Sequence, residues 1–253
     1  MNWIGLYSLI RKEFDRTFRV ATQALVAPWI SALLYIFVFG SIIGQQIDLI
    51  AGVPYIAFVL PGILMMSVIS AAFASSSSAL YFQRFLHTIE ELLVAPFSHF
   101  EMLIGFVLGG VVRALIIAIG IFILALLFGG ARVDHVVLFL TTVFLVSIIF
   151  SLLGVLIGLW SNNFEQLTIL TTFIIMPLSF LGGTFYSVHM LPERFRAIAY
   201  VNPFFYFIDT TRCAMISVCE SNQSVGFGIM IGFVVILGWF VWYLFERGWR
   251  LRV

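Results

Sequence analysis

The chain has 253 residues, of which 62% are hydrophobic and only 10% charged. A soluble globular domain carries about 25% charged residues, so this chain cannot clothe a water-facing surface and reads as an integral membrane protein. A net charge of +1 excludes a bulk electrostatic case for nucleic acid.

In residues 1–21, Trp3, Leu6, Tyr7, Ile10, Phe14 and Phe18 repeat every three or four positions. Arg11, Lys12, Asp15, Arg16 and Arg19 fill the gaps. This predicts a helix lying in the headgroup layer, aromatics in and arginines out. The alternative is a plain start to the first span. The first apolar run is too long for a signal peptide and lacks a small-residue cleavage site, so it is expected to stay in the protein.

A spanning helix needs about 20 apolar residues, and six segments qualify: 22–43, 53–79, 99–128, 136–160, 166–186 and 225–245. Pro61 and Pro177 fall inside spans and predict kinks rather than breaks, since neighbours can satisfy the freed carbonyls. The serine run Ser75–Ser78 predicts close helix approach. The expected fold is an all-α integral membrane domain over 1–253, without a separate soluble domain.

Between the second and third spans lies YFQRFLHTIEELLVAPFS, residues 81–98. Phe82, Phe85, Leu86, Ile89, Leu92 and Leu93 share one helical face. Gln83, Arg84, His87, Glu90 and Glu91 share the other. This predicts an amphipathic helix, polar side to solvent, stopped by Pro96. Ser98 and Glu101 read as a capping box for the next helix. Solvated charges are the usual fate of Glu90 and Glu91. The sharper reading has them meet a basic rim on a soluble partner, with Phe85, Leu86 and Ile89 as anchors in its groove.

Positive charge sets orientation. Arg11, Lys12, Arg16, Arg19, Arg84, Arg247, Arg250 and Arg252 lie on one side; Arg132, Arg194, Arg196 and Arg212 lie on the other. Both termini and the 81–98 helix are therefore expected in the cytoplasm. Residues 187–222 are then outside, too long for a hairpin and too apolar for a free loop. Two short helices dipping into the outer leaflet are expected, with a surface-lying pair as the alternative. Cys213 and Cys219 fall there; two unpaired thiols are expected, although an oxidising compartment permits a disulfide.

Arg113 is the only charge deep in a span. Such an arginine costs about 2.5–3.5 kcal/mol and should face protein or water. It is either a contact for an anionic substrate or an interhelical post beside Gly109 and Gly110. Gly182-Gly183 reads as a packing site, with a hinge as the alternative. The tryptophans cluster toward span ends as interface belts. No phosphate loop, intramembrane acid pair or metal motif occurs, so a self-sufficient pump or enzyme is hard to build from these residues.

Four stretches carry a resemblance: IEELLVAP (89–96), FVLPGILMMS (58–67), LGGTFYSVHMLP (181–192) and NPFFYFIDTTR (202–212). Together they resemble the ABC-2 type permeases, membrane subunits of bacterial ABC transporters, and within them the YadH-like subgroup related to the NodJ type. The resemblance covers essentially the whole chain. It implies a homodimeric pore in the inner membrane, in contact with lipids, that pairs with two copies of a separate ATPase subunit. ATP and Mg would bind to that ATPase, with no cofactor, metal or catalytic residue in this chain. Phe85, Leu86, Ile89, Glu90, Glu91 and Leu92 would lie on the ATPase-coupling helix. The outer region with Gly182, Gly183, Phe185, Tyr186, Asn202 and Pro203 would help to form an outer gate. Substrates across the family are lipids, glycans and drugs, mostly exported. The rival readings are a gradient-driven transporter or channel, an intramembrane lipid enzyme, and a non-transporting membrane anchor.

Overall fold

The computed structural model describes residues 3–44, 46–47, 49–94, 98–127 and 131–250. It is all-helical apart from one small hairpin, β1 (Leu49–Ile50) and β2 (Val53–Pro54). Among the described residues, six helical segments are long and apolar enough to cross a membrane.

Helix α1 (Trp3–Arg19) buries a face that the periodicity did not single out: Leu9, Glu13 and Thr17. That face lies on α5 (His99–Leu127), where Gly105 and Gly109 leave room for Leu9 and Glu13. Small residues four apart admit a neighbouring helix at close range. Tyr7, Phe14 and Phe18 remain exposed on other faces of α1.

The first span opens on a π turn (Thr22–Val26), continues as α2 (Ala27–Phe37) and ends on a second π turn (Val38–Ile43). Helix α3 (Tyr55–Phe85) is the central pillar. It is 31 residues long, runs unbroken past Pro61, and is 72% buried over its most apolar window. Helices α5 and α6 (Val136–Trp160) pack against it. A Cβ on Gly154 would lie 2.6 Å from the Phe73 carbonyl oxygen, and one on Gly158 2.8 Å from that of Ser77. This Gly-x-x-x-Gly stripe therefore lets α6 meet the serine-rich part of α3 backbone to backbone. A Cβ on Gly110 would strike Ser76 and Ser151, so the three helices converge there.

The fifth span is α7 (Phe164–Leu170), a π turn (Thr171–Ile175) and α8 (Met176–Leu181). It ends five residues before the expected boundary, because Gly183 turns the chain at φ +80°. A 3-10 turn (Val188–Met190), α9 (Glu193–Val201), α10 (Pro203–Ile216) and the last span, α11 (Gln223–Glu246), complete the chain. Of the short pair, α9 is largely exposed. Helix α10 is buried along nearly its whole length, against α3 and α6.

Two expectations are corrected. Cys213 and Cys219 are joined by a disulfide rather than free. Helix α10 ends at Ile216 and Ser217 takes a left-handed conformation (φ 56°), which folds the chain back over the last helical turn. Six residues of sequence separation cannot reveal that reversal. The second correction concerns residues 81–98. There is no continuous amphipathic helix: α3 runs on to Phe85, and a separate short helix, α4 (Ile89–Val94), follows. The break is His87 at φ 56°, whose N–H donates to the Arg84 carbonyl. A left-handed residue just past the last turn is a common helix stop. Pro96, the expected stop, lies outside the described residues.

Candidate functional site

The elbow between α3 and α4 is held from one end. Arg84 was expected on a solvated face but is buried, and so is Gln83. The Arg84 Nη1 donates to the carbonyls of Gly158 (2.8 Å), Leu159 (2.7 Å) and Ser161 (3.2 Å). These are orphan acceptors at the C-terminus of α6, where a cation is also favoured by the helix dipole. Ile89 is buried against the bundle, so it anchors α4 and is not free for a partner. Leu92 packs partly against the same cluster. Phe85, Leu86, Glu90 and Glu91 stay exposed, Phe85 and Leu86 at 64% and 62%. The capping box forms as expected: Ser98 N–H donates to Glu101 Oε2 (2.9 Å), and Glu101 N–H to Ser98 Oγ (3.2 Å).

A second feature is a groove along α3. The first span forms one wall and the fifth span the other. Its lower part, about 560 Å³, is lined by Arg16, Gln23, Ala74, Ser78, Arg113 and Thr171 among others. Its upper part, about 420 Å³, shares Gln23, Ala74 and Arg113 and adds Ser31, Tyr35, Ser67, Ser70 and Phe185. Arg113 reaches the groove from α5. Its Nη2 makes one long contact, 3.4 Å to the Ala24 carbonyl, and its buried Nε has no partner. Glu13 is beside this region but is engaged with Arg16 at 2.8 Å. Burial raises the Glu13 carboxyl above its usual range, against the opposing pull of Arg16.

The far end of the groove meets the expected gate residues. Phe185 stacks on Phe39 at 4.4 Å and on Phe180 at 5.3 Å, and its carbonyl accepts from the Tyr55 hydroxyl. Asn202 caps α10 through Phe204 N–H and donates to the Leu178 carbonyl at 2.7 Å. Pro203 occupies the first turn of α10, where its missing N–H costs nothing. Gly182 lies against the Phe204–Phe205 backbone, where a Cβ would sit 3.1 Å from both Phe204 C and Phe205 N, tighter than ordinary contact. Tyr186 turns aside and donates to Leu181.

Two charges organise this end, Arg212, which the charge count placed on the outer side, and Asp209. Arg212 is fully buried. It donates to the carbonyls of Phe58 (3.2 Å) and Gly183 (2.5 Å) and lies 3.9 Å from the centre of the Phe58 ring. The Asp209 carboxylate accepts from Glu220 N–H, Ser221 N–H and the Ser221 hydroxyl. Burial pushes Asp209 upward while these hydrogen bonds hold it down. Acid and base three residues apart in an apolar helix were the available signal.

Comparison with known proteins now bears on this arrangement. A family model described as ABC-2 type transporter matches residues 5–216. The chain belongs to the ABC-2 type transporter family. Membership makes it a membrane permease subunit of an ABC transporter, a kind of chain that works with a separate ATPase, on which ATP binds. Among its relatives is the inner membrane transport permease YadH of Escherichia coli K12, 36% identical over 250 residues, covering 99% of this chain and 98% of the relative. Nodulation protein J of Rhizobium leguminosarum bv. viciae is 22% identical over 237 residues, covering 93% and 90%. Nodulation protein J of Rhizobium meliloti is 24% identical over 232 residues, covering 91% and 86%. This ABC-2 chain therefore matches its relatives over nearly their whole length.

Proposed function

We propose that the chain is the pore-forming subunit of an ATP-driven exporter in a bacterial inner membrane, acting as a homodimer with two ATPase subunits. The observation that carries this is the elbow: Phe85, Leu86, Glu90 and Glu91 stand uncovered where the central pillar meets the short arm α4, whose Ile89 is seated on the bundle. A partner that pushes α4 pushes α3, and Arg84 passes that push to α6. Such coupling needs two discrete states biased by nucleotide.

Orientation follows from two supports. With Arg84 and Arg212 buried in protein, the loop charges stand seven against three, still favouring cytoplasmic termini. Disulfides persist in oxidising compartments, which favours an outward position for Cys213 and Cys219. The exposed apolar residues of the first and fifth spans, such as Leu34 and Phe173, offer a surface for the second copy. Gly182, Gly183, Phe185, Tyr186, Asn202 and Pro203 then sit at the outer mouth as gate residues, and Arg113 lines the path.

The test is copurification with the ATPase encoded beside it. A Glu90→Ala, Glu91→Ala variant that stays folded is expected to lose the ATPase. Equal recovery from both proteins would remove these acids from the interface. No ATPase in either sample would favour a channel or anchor.

A further inference from the structure

We infer that the Cys213–Cys219 disulfide is a thiol-exchange site, through which an external dithiol unlocks the chain reversal between α10 and the last span without unfolding the bundle. The inference goes beyond the transport reading and rests on the outward position proposed for these cysteines.

The two sulfurs stand in different surroundings. Cys213 lies in the last turn of α10 and is 6% exposed. Cys219 is exposed, two residues past the left-handed Ser217. Exchange needs a thiolate to reach a sulfur, so the attack falls on Cys219. As the new sulfur–sulfur bond forms, the Cys213–Cys219 bond breaks, and Cys213 leaves as a thiolate that takes a proton from water. The second thiol of the reductant then attacks the reductant's own sulfur, and Cys219 leaves and is protonated in turn. Two electrons and two protons have passed to the cysteines, and the reductant ends as a disulfide.

A latch of hydrogen bonds remains after reduction. Asp209, one helical turn before Cys213, accepts from the N–H groups of Glu220 (2.8 Å) and Ser221 (2.9 Å), the two residues after Cys219, and from the Ser221 hydroxyl. The Glu220 carboxylate accepts from Val188 N–H at 3.0 Å. On the other flank, Ser217 Oγ donates to Asp134 Oδ2 at 2.7 Å, and the N–H groups of Asp134 and His135 donate to the Met215 and Ala214 carbonyls. These contacts bracket the pair and use neither sulfur, so they hold the two thiols close enough to re-pair. Hydrogen bonds near water open and reclose locally, whereas the covalent link forbids opening. The oxidised protein therefore keeps the reversal shut and the reduced protein lets it open. Helix α10 stays seated in both, through the bonds of Arg212 to Phe58 and Gly183.

The test uses the full chain in detergent, dithiothreitol as the dithiol, and hydrogen exchange read at residues 217–222. Reduction should speed exchange there about thirtyfold, the worth of closing a short loop, and leave α10 and α11 protected. Oxidised glutathione should restore slow exchange. A maleimide should label Cys219 in Cys213→Ser about tenfold faster than Cys213 in Cys219→Ser, following exposure. Ser221→Ala removes one donor from Asp209 and should lower the effective concentration of the paired thiols about tenfold. In glutathione buffers that shifts the midpoint by about 30 mV toward easier reduction. Any of four results would overturn the inference: unchanged exchange at 217–222 on reduction, loss of protection in α10 or α11, faster labelling of Cys213, or an unmoved midpoint in Ser221→Ala. The second would mean a plain structural staple, the fourth a reversal held without Asp209. In detergent the side of the membrane does not enter, so this result and the proposed orientation can fail separately.

Discussion

The two ends of the bundle are built to opposite rules. At one, residues 183–222 are tied down by a disulfide, a buried arginine that bonds two backbone carbonyls, and a carboxylate with three donors. At the other, α4 hangs from a short break at His87, and its Glu90, Glu91 and Val94 face outward. The first end spends its polar groups on itself. The second leaves them for something else. A transporter driven from one side requires that asymmetry: a stiff far end that responds as a unit, and a near end free to be gripped.

The contrast can be broken most forcefully at Arg212. Arg212→Ala removes two charged hydrogen bonds from a dry site, each worth about 1.5–3 kcal/mol, for a loss of about 3–6 kcal/mol. Size-exclusion thermal unfolding in detergent should show a sharply lowered midpoint; an unchanged midpoint would mean the far end is not held by this residue. Arg84→Ala comes next, at about 2–3 kcal/mol, since it uncaps α6. It should also weaken ATPase stimulation, because it cuts the link between elbow and bundle; normal stimulation would place the link elsewhere. Replacing both Cys213 and Cys219 by Ser should cost about 2 kcal/mol, the chain entropy of a short closed loop. A thiol reductant should lower the wild-type midpoint equally and leave the double variant unmoved. The smallest effect belongs to Phe85→Ser, within about 0.5 kcal/mol as for exposed positions generally, yet recovery of the ATPase should fall. If stability falls and recovery does not, the elbow is structural and the comparison collapses.

Much of this architecture was legible in the sequence because hydropathy is a strong signal over 20 residues. All six spans were found, and the Ser98–Glu101 box was read from two residues at the right spacing. What escaped was set by tertiary contact. Arg84 has the helical phase of a solvated residue, and only the position of the α6 C-terminus makes it a cap. His87 stops a helix through a left-handed conformation, one that histidine adopts more readily than most residues but too rarely to mark a helix end by itself. The buried face of α1 was hidden by the stronger aromatic and basic pattern on its other sides. The disulfide depends on a chain reversal at Ser217. Of the groove, only Arg113 stood out, since its walls come from spans far apart in sequence.

The π turns at Thr22–Val26 and Thr171–Ile175 have a consequence for mechanical compliance. Each is followed two residues later by a proline, Pro28 or Pro177, so the wide turn makes room for a ring that would crowd an α-helical carbonyl. Gln23 and Thr171, one from each turn, line the same groove. Each wall therefore carries a point where the backbone ladder is already loosened. Spreading the walls around cargo would strain these two turns and spare the pillar between them.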